Sequence, residues 1–182
     1  VHIPIFQRAY IWGQKEFSDL THDIGLIRDS IEDCQFLGAI VAYDKPRQAG
    51  VQGRLQHKAV VDGQQRLITL YIFILGIAER MFHYDNEASG EIIQDYLLLP
   101  TRREMDINTR IVPSLKDRTQ FRTLWDRINS PELLRDVLLH NPPKPPLPSG
   151  DPEGQLVKQY ARIIKWLKKH SPAEPEAAIT VL

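Results

Sequence analysis

Asp62-Gly63-Gln64-Gln65-Arg66 separates two strongly apolar stretches, and its residue types can do chemistry together. The pattern before it reads as a strand and the pattern after it as a buried helix, with Gly63 permitting a sharp turn. The first N–H groups of a helix have no intrahelical partners, and the helix dipole adds partial positive charge there. Such a terminus suits a phosphate. Arg66 adds a planar cation able to grip phosphate through two bonds. Gln64 and Gln65 each donate and accept, which fits a ribose, a base edge or an attacking water. Asp62 can hold a magnesium ion that keeps several waters. The side chains of 64 to 66 step round the axis by about 100° each, so they converge only around the first turn. The same residues also have a purely structural use, since Asp caps helices, Gly turns chains, and Gln and Arg favour helices. No GxxxxGK[ST] loop occurs, so a nucleotide site here is not of the Walker type.

Gln7-Arg8-Ala9-Tyr10-Ile11-Trp12 is a second constellation. Tyr10 and Trp12 alternate with Arg8, a pattern able to stack a base and hold a phosphate. The same aromatics can instead pack on the first helix.

These residues need elements to position them. Val1 to Trp12 shows no clean period, and Pro4 biases Ile3 toward an extended conformation, so the segment is expected to be extended or looped. Phe17, Leu20, Ile24, Ile27 and Ile31 form one apolar stripe, predicting a helix over 14–33 with an acidic outer face. Phe36 to Tyr43 reads as a buried strand, residues 44–56 as a hairpin loop, and His57 to Val61 as the returning strand. The helix after the motif runs to about Phe82 and is apolar nearly all round, which places it inside a core. Glu91 to Leu99 is a short helix and Arg110 to Val112 a short strand. Ser114, three before Asp117, is placed to cap a helix carrying Phe121, Leu124, Trp125 and Ile128. Ser130-Pro131 starts another helix. Six prolines between 142 and 152 make a stiff connector, and an amphipathic helix follows over Glu153 to Lys169.

Composition narrows the functions. The 182 residues carry 23 basic and 23 acidic side chains, so bulk positive charge does not coat nucleic acid, although a local basic face can. A single cysteine, Cys34, excludes an internal disulfide framework and a cysteine-rich zinc site. The apolar run Leu67 to Ala78 is 12 residues, too short to span a bilayer. No secretory signal is visible, so the expected compartment is the cytoplasm. The chain starts at Val1 rather than Met, which suggests a piece of a longer protein.

Taken together, the motifs resemble the N-terminal domain of GmrSD-type modification-dependent restriction systems. That pattern is matched by Ile3, Pro4, Phe6, Gln7, Arg8, Tyr10 and Trp12, by Phe36-Leu37-Gly38, and by Asp62 to Leu67 with Thr69 and Leu70. Arg110-Ile111-Val112-Pro113 followed by Phe121 also looks like the family. The resemblance implies an α+β fold, a small mixed ParB/sulfiredoxin-like sheet core with a buried central helix and a helical C-terminal half. With the sequence pattern, the expected division is a ParB-like core over 1–100, a helical extension over 101–141, the connector over 142–152, and a terminal helix and tail over 153–182. The resemblance also implies binding and hydrolysis of a nucleoside triphosphate with Mg2+, regulating DNA cleavage by a separate HNH-type nuclease. By matched position, Asp62, Gln64, Gln65 and Arg66 would be catalytic, with Asp62 the metal residue. Gln7, Arg8, Gly63 and Thr69 would bind nucleotide, and Tyr10 and Trp12 would shape a pocket or sense DNA.

The sequence departs from the family in places. Ile68 stands where Thr is frequent. His2, His22, His57, His83, His140 and His170 are scattered and form no HNH pattern, so nuclease activity is not assigned to this chain. Cys34 does not match the catalytic cysteine of sulfiredoxins. Residues 101–128 carry seven basic against four acidic side chains, and residues 153–170 five against one. These faces can contact DNA phosphates, be simply solvated, or pair with the acidic first helix. The alternative function is a non-catalytic module that senses modified DNA or docks a partner. A nucleotide clamp that forms a homo-oligomer is a third.

Overall fold

A computed structural model of the chain describes residues 1–4, 7–29, 31, 33–45, 58–82, 84–99, 109–128 and 154–170, with side chains of 126–128 excepted. Residues 46–56 of the expected loop, His57 of the returning strand, the helix start at Ser130-Pro131, the proline connector and the tail after 170 lie outside the described residues. The described elements are α1 (Gln14–Arg28), β1 (Val41–Asp44), β2 (Lys58–Asp62), α2 (Gln64–Phe82), α3 (Asn86–Ile92), a π-helical turn (Ile93–Leu97), α4 (Arg118–Ile128) and α5 (Gln155–His170). The fold is mixed α+β. No described helix is long and apolar enough to cross a membrane.

α2 is the axis of the molecule. Its sequence is apolar on every side, and Ile68, Tyr71, Ile72, Phe73, Leu75, Ile77, Ala78 and Met81 are all buried. Burying one such side chain is worth about 1.5–3 kcal/mol, so this helix holds its neighbours in place rather than resting on them. α3 and α5 pack along it, and α5 also packs on α4. Gly76 permits the close approach of α5: a Cβ there would sit 3.1 Å from Ile163 Cγ2 and 3.3 Å from Leu167 Cδ1. The α5 residues Leu156, Val157, Tyr160, Ile163 and Leu167 complete the same core.

β1 and β2 pair antiparallel, with Ala42 opposite Val60 and Tyr43 opposite Ala59. The N-terminal segment extends this layer. His2 N–H donates to Lys58 O (2.7 Å) and Val60 N–H to His2 O (3.0 Å), while Ile3 N–H donates to Val112 O (2.9 Å). Residues 1–3 therefore run between β2 and the stretch 110–112, parallel to both, as the extended readings of both segments anticipate.

Three expectations need correction. The strand begins at Val41, not Phe36, and it is not buried: Phe36 is 83% exposed and every β1 residue is exposed. β1 pairs with β2 along one edge, while β2 also pairs with the N-terminal segment on its other edge. Helix α1 stops at Arg28 rather than 33. Its buried residues are Phe17 and Leu20; Ile27 and Ile31 point to solvent, so the later part of the stripe has no core to meet. The helix expected over Glu91 to Leu99 starts earlier, at Asn86. Asp85 caps it by accepting from Ala88 N–H at 3.0 Å, and its end widens into the π-helical turn.

Candidate functional site

The β2–α2 junction turns at Gly63, whose φ of +84° favours glycine. A Cβ there would lie 3.0 Å from Ala39 O and 3.0 Å from Ile40 Cγ1, so the turn is pressed against the chain leading into β1. Leu67 N–H donates to Gly63 O (3.0 Å), closing the first helical turn. The N–H groups ahead of it are those a helix leaves without intrahelical partners.

Two neighbouring glutamines enter this turn with different fates. Gln65 is 5% exposed and committed at both ends. Its Nε2 donates to Ala9 O (3.2 Å) and its Oε1 accepts from Ile11 N–H (2.9 Å). The carboxamide thus pairs with the N-terminal segment as a strand's peptide group would. Gln64 is 6% exposed. Its Nε2 donates to Arg8 O (3.3 Å), but its Oε1 is buried with no hydrogen-bond partner among the described residues. A buried amide oxygen without a donor costs roughly 1–3 kcal/mol, which the fold tolerates here.

Tyr10 locks the same segment from the other side. Thr69 Oγ1 donates to Gln65 O (2.8 Å) and lies 2.6 Å from the Tyr10 hydroxyl. Since the Thr69 proton is committed, the Tyr10 hydroxyl donates. Burial pushes the Tyr10 phenol above its ordinary range. Tyr10 N–H donates to the buried Asp117 Oδ1 (3.0 Å), whose Oδ2 accepts from Ser114 Oγ (2.6 Å). Trp12 is half-buried against the core, and its carbonyl accepts from Gln155 Nε2 (2.7 Å). The sequence reading ties Ser114 to Asp117 as a helix cap and misses its larger role. Only the fold reveals that Asp117 reaches a backbone 107 residues away.

Arg66 lies on the open side of the turn. Its Nη1 donates to Ala39 O (2.9 Å), and its guanidinium sits over Gly38. A Cβ on Gly38, at φ +92°, would be 2.7 Å from Arg66 Cζ. Gly38 is therefore the floor on which Arg66 rests, which links the Phe36-Leu37-Gly38 motif to the Asp62–Arg66 motif. A guanidinium has five N–H donors, so one bond to Ala39 leaves it able to grip an anion. Gln7 Nε2 donates to Val61 O (3.1 Å), laying the N-terminal segment across the junction. Asp62 and Arg8 are exposed.

The fold thus brings together Gln7, Arg8, Asp62, Gly63, Gln64 and Arg66 at one helix start, with Gln65, Thr69 and Tyr10 behind them. Among the described residues no cluster of three or more His, Cys, Asp or Glu can hold a metal. A magnesium ion arriving with a triphosphate needs only one or two carboxylates, and Asp62 offers one.

A family model described as "GmrSD restriction endonuclease, N-terminal domain" matches residues 1–170. No curated protein matches the chain.

Proposed function

The chain belongs to the family of GmrSD restriction endonuclease N-terminal domains, and from that premise we propose that it is the nucleotide-responsive regulatory part of a restriction system. The observation that carries this reading is the half-exposed Arg66 held over Gly38 at the first turn of α2, its guanidinium keeping donors to spare, beside a buried Gln64 Oε1 without a partner among the described residues. A bare phosphate would satisfy Arg66 and the helix N–H groups but gives Gln64 Oε1 no donor when fully ionised. A nucleoside triphosphate supplies both, since its phosphates take the cation and its hydroxyl or base N–H groups can donate.

The residues then divide the work. Arg66 and the α2 N-terminus stabilise negative charge on the phosphates, which is the main demand of phosphoanhydride hydrolysis. Gln64 Oε1 orients a donor, either the ribose or the attacking water, and Asp62 holds a water or a magnesium-bound water. Magnesium, when bound with the nucleotide, neutralises phosphate charge. Gln65 and Thr69 are positioning residues that keep the N-terminal segment, with Gln7 and Arg8, over the site. Cleavage of DNA belongs to a separate HNH-type nuclease that this domain controls.

Phosphate release from ATP, GTP, CTP and UTP with magnesium tests the reading. Wild type is expected to release phosphate from at least one of them, and Arg66→Ala and Gln64→Ala to do so at least about tenfold more slowly. Equal release by all three proteins would sink the catalytic assignment.

The Gln65 clamp favours a second reading, in which the motif is scaffold and the domain senses modified DNA or docks a partner without nucleotide chemistry. That reading expects modified duplexes to shift equally with and without nucleotide.

A further inference from the structure

We propose that the outer face of α5 is a binding surface for the phosphate backbone of duplex DNA. The surface lies on a different helix from the β2–α2 junction, and the proposal does not depend on nucleotide binding there. α5 contains Lys158, Arg162, Lys165, Lys168 and Lys169 and no acidic residue. All four lysines are exposed. Lys158, Lys165 and Lys169 fall within about 40° of one another round the helix and span about 16 Å along it. Arg162 lies in the same row, and Gln159 Oε1 accepts from its Nη1 (2.8 Å), which fixes the guanidinium.

Two simpler uses of this charge are excluded by the structure. Intramolecular pairing with the acidic helix α1 is not made: among the described residues the ion pairs are Arg28–Asp29 and Lys58–Asp44. Insertion into a membrane surface needs a free apolar face. The apolar face of α5 is already spent, with Leu156, Val157, Tyr160, Ile163 and Leu167 buried against α2 and α4. What remains is a rigid row of cations on a helix anchored by its opposite side. Duplex DNA carries about one negative charge per 1.7 Å of axis, and neutralising those charges releases counterions. The row is long enough to meet several phosphates at once, and lysine point charges read backbone rather than sequence. A restriction-endonuclease domain has DNA as its natural polyanion.

The test is anisotropy of a labelled plain duplex of about 24 base pairs, titrated with the whole chain from about 50 to 200 mM salt. Wild type is expected to bind with a steep negative salt slope. The triple variant Lys158→Gln, Lys165→Gln, Lys169→Gln is expected to bind at least about tenfold more weakly, with a log–log slope shallower by about 2.7. The triple Lys→Arg variant is expected to keep the slope. A control carrying Lys15→Gln and Lys116→Gln, exposed lysines elsewhere, is expected to bind as wild type does. Unchanged thermal melting of the variants separates lost contacts from lost fold. Should the triple Gln variant melt early, Lys165→Glu alone is expected to flatten the slope by more than one unit. Absent duplex binding by wild type, or an unchanged slope in the folded triple Gln variant, would overturn the proposal.

Discussion

Gln64 and Gln65 are adjacent, equally buried and chemically identical, yet they face two different environments. On the Gln65 flank every polar group has a partner: Ala9 O, Ile11 N–H, the Thr69 hydroxyl, the Tyr10 hydroxyl and the Asp117 carboxylate form a closed network. On the Gln64 flank a buried oxygen is unpartnered, Arg66 is half-exposed and Asp62 lies open to solvent. One short motif thus supplies a closed frame on one flank and, on the other, the groups we propose to meet the ligand. The 100° step between consecutive helical residues is what separates the two jobs. Residues on the closed flank should govern stability, and residues on the open flank should govern ligand binding.

Three substitutions test that contrast. Gln65→Ala orphans two backbone groups of the N-terminal segment and is expected to cost about 2–4 kcal/mol, read by urea unfolding. A cost under 0.5 kcal/mol would mean that the clamp is decorative. Gly63→Ala, which forces a Cβ against Ala39 O at a positive φ, is expected to cost about 1–3 kcal/mol in the same experiment. Tyr10→Phe removes one hydrogen bond and keeps the ring, so it is expected to cost about 1 kcal/mol.

The Tyr10 change also carries a pH signature. In the native chain burial holds this phenol protonated above the value of about 10 that it has when unfolded. Burial acts likewise on Tyr71, whose hydroxyl donates to Leu97 O. Above pH 10 the unfolded chain therefore binds fewer protons, and stability falls as pH rises; below about pH 9 these tyrosines contribute no slope. Urea midpoints between about pH 8 and 11 are expected to fall less steeply in Tyr10→Phe than in wild type. Parallel profiles would show that the network does not depend on the Tyr10 proton.

The sequence made some of this legible and hid the rest for physical reasons. α2 was readable because an all-round apolar pattern has few other uses, and the turn at Gly63 because glycine sits between strand and helix patterns. The grouping of Gln7 and Arg8 with the Asp62–Arg66 segment came from family resemblance, not from spacing. The split between Gln64 and Gln65 was not readable. Which amide oxygen finds a donor depends on where residues 9 and 11 lie, and no local pattern encodes that. The burial expected at Phe36 failed because apolar composition alone does not say whether a strand has a covering layer. The Gly38 floor beneath Arg66 escaped because it joins residues 28 apart through a positive-φ turn.

The most direct test of the account is calorimetric titration of the magnesium nucleoside triphosphates into wild type, Gln64→Ala and Arg66→Ala, with each protein's unfolding midpoint measured alongside. Gln64→Ala gives up one long hydrogen bond and an unsatisfied oxygen, so its stability is expected within about 0.5 kcal/mol of wild type. Its affinity for the nucleotide that wild type binds is expected to fall at least about tenfold, and that of Arg66→Ala further. Nucleotide binding by both folded variants as tight as that of wild type would contradict the claim that the open flank is the ligand site.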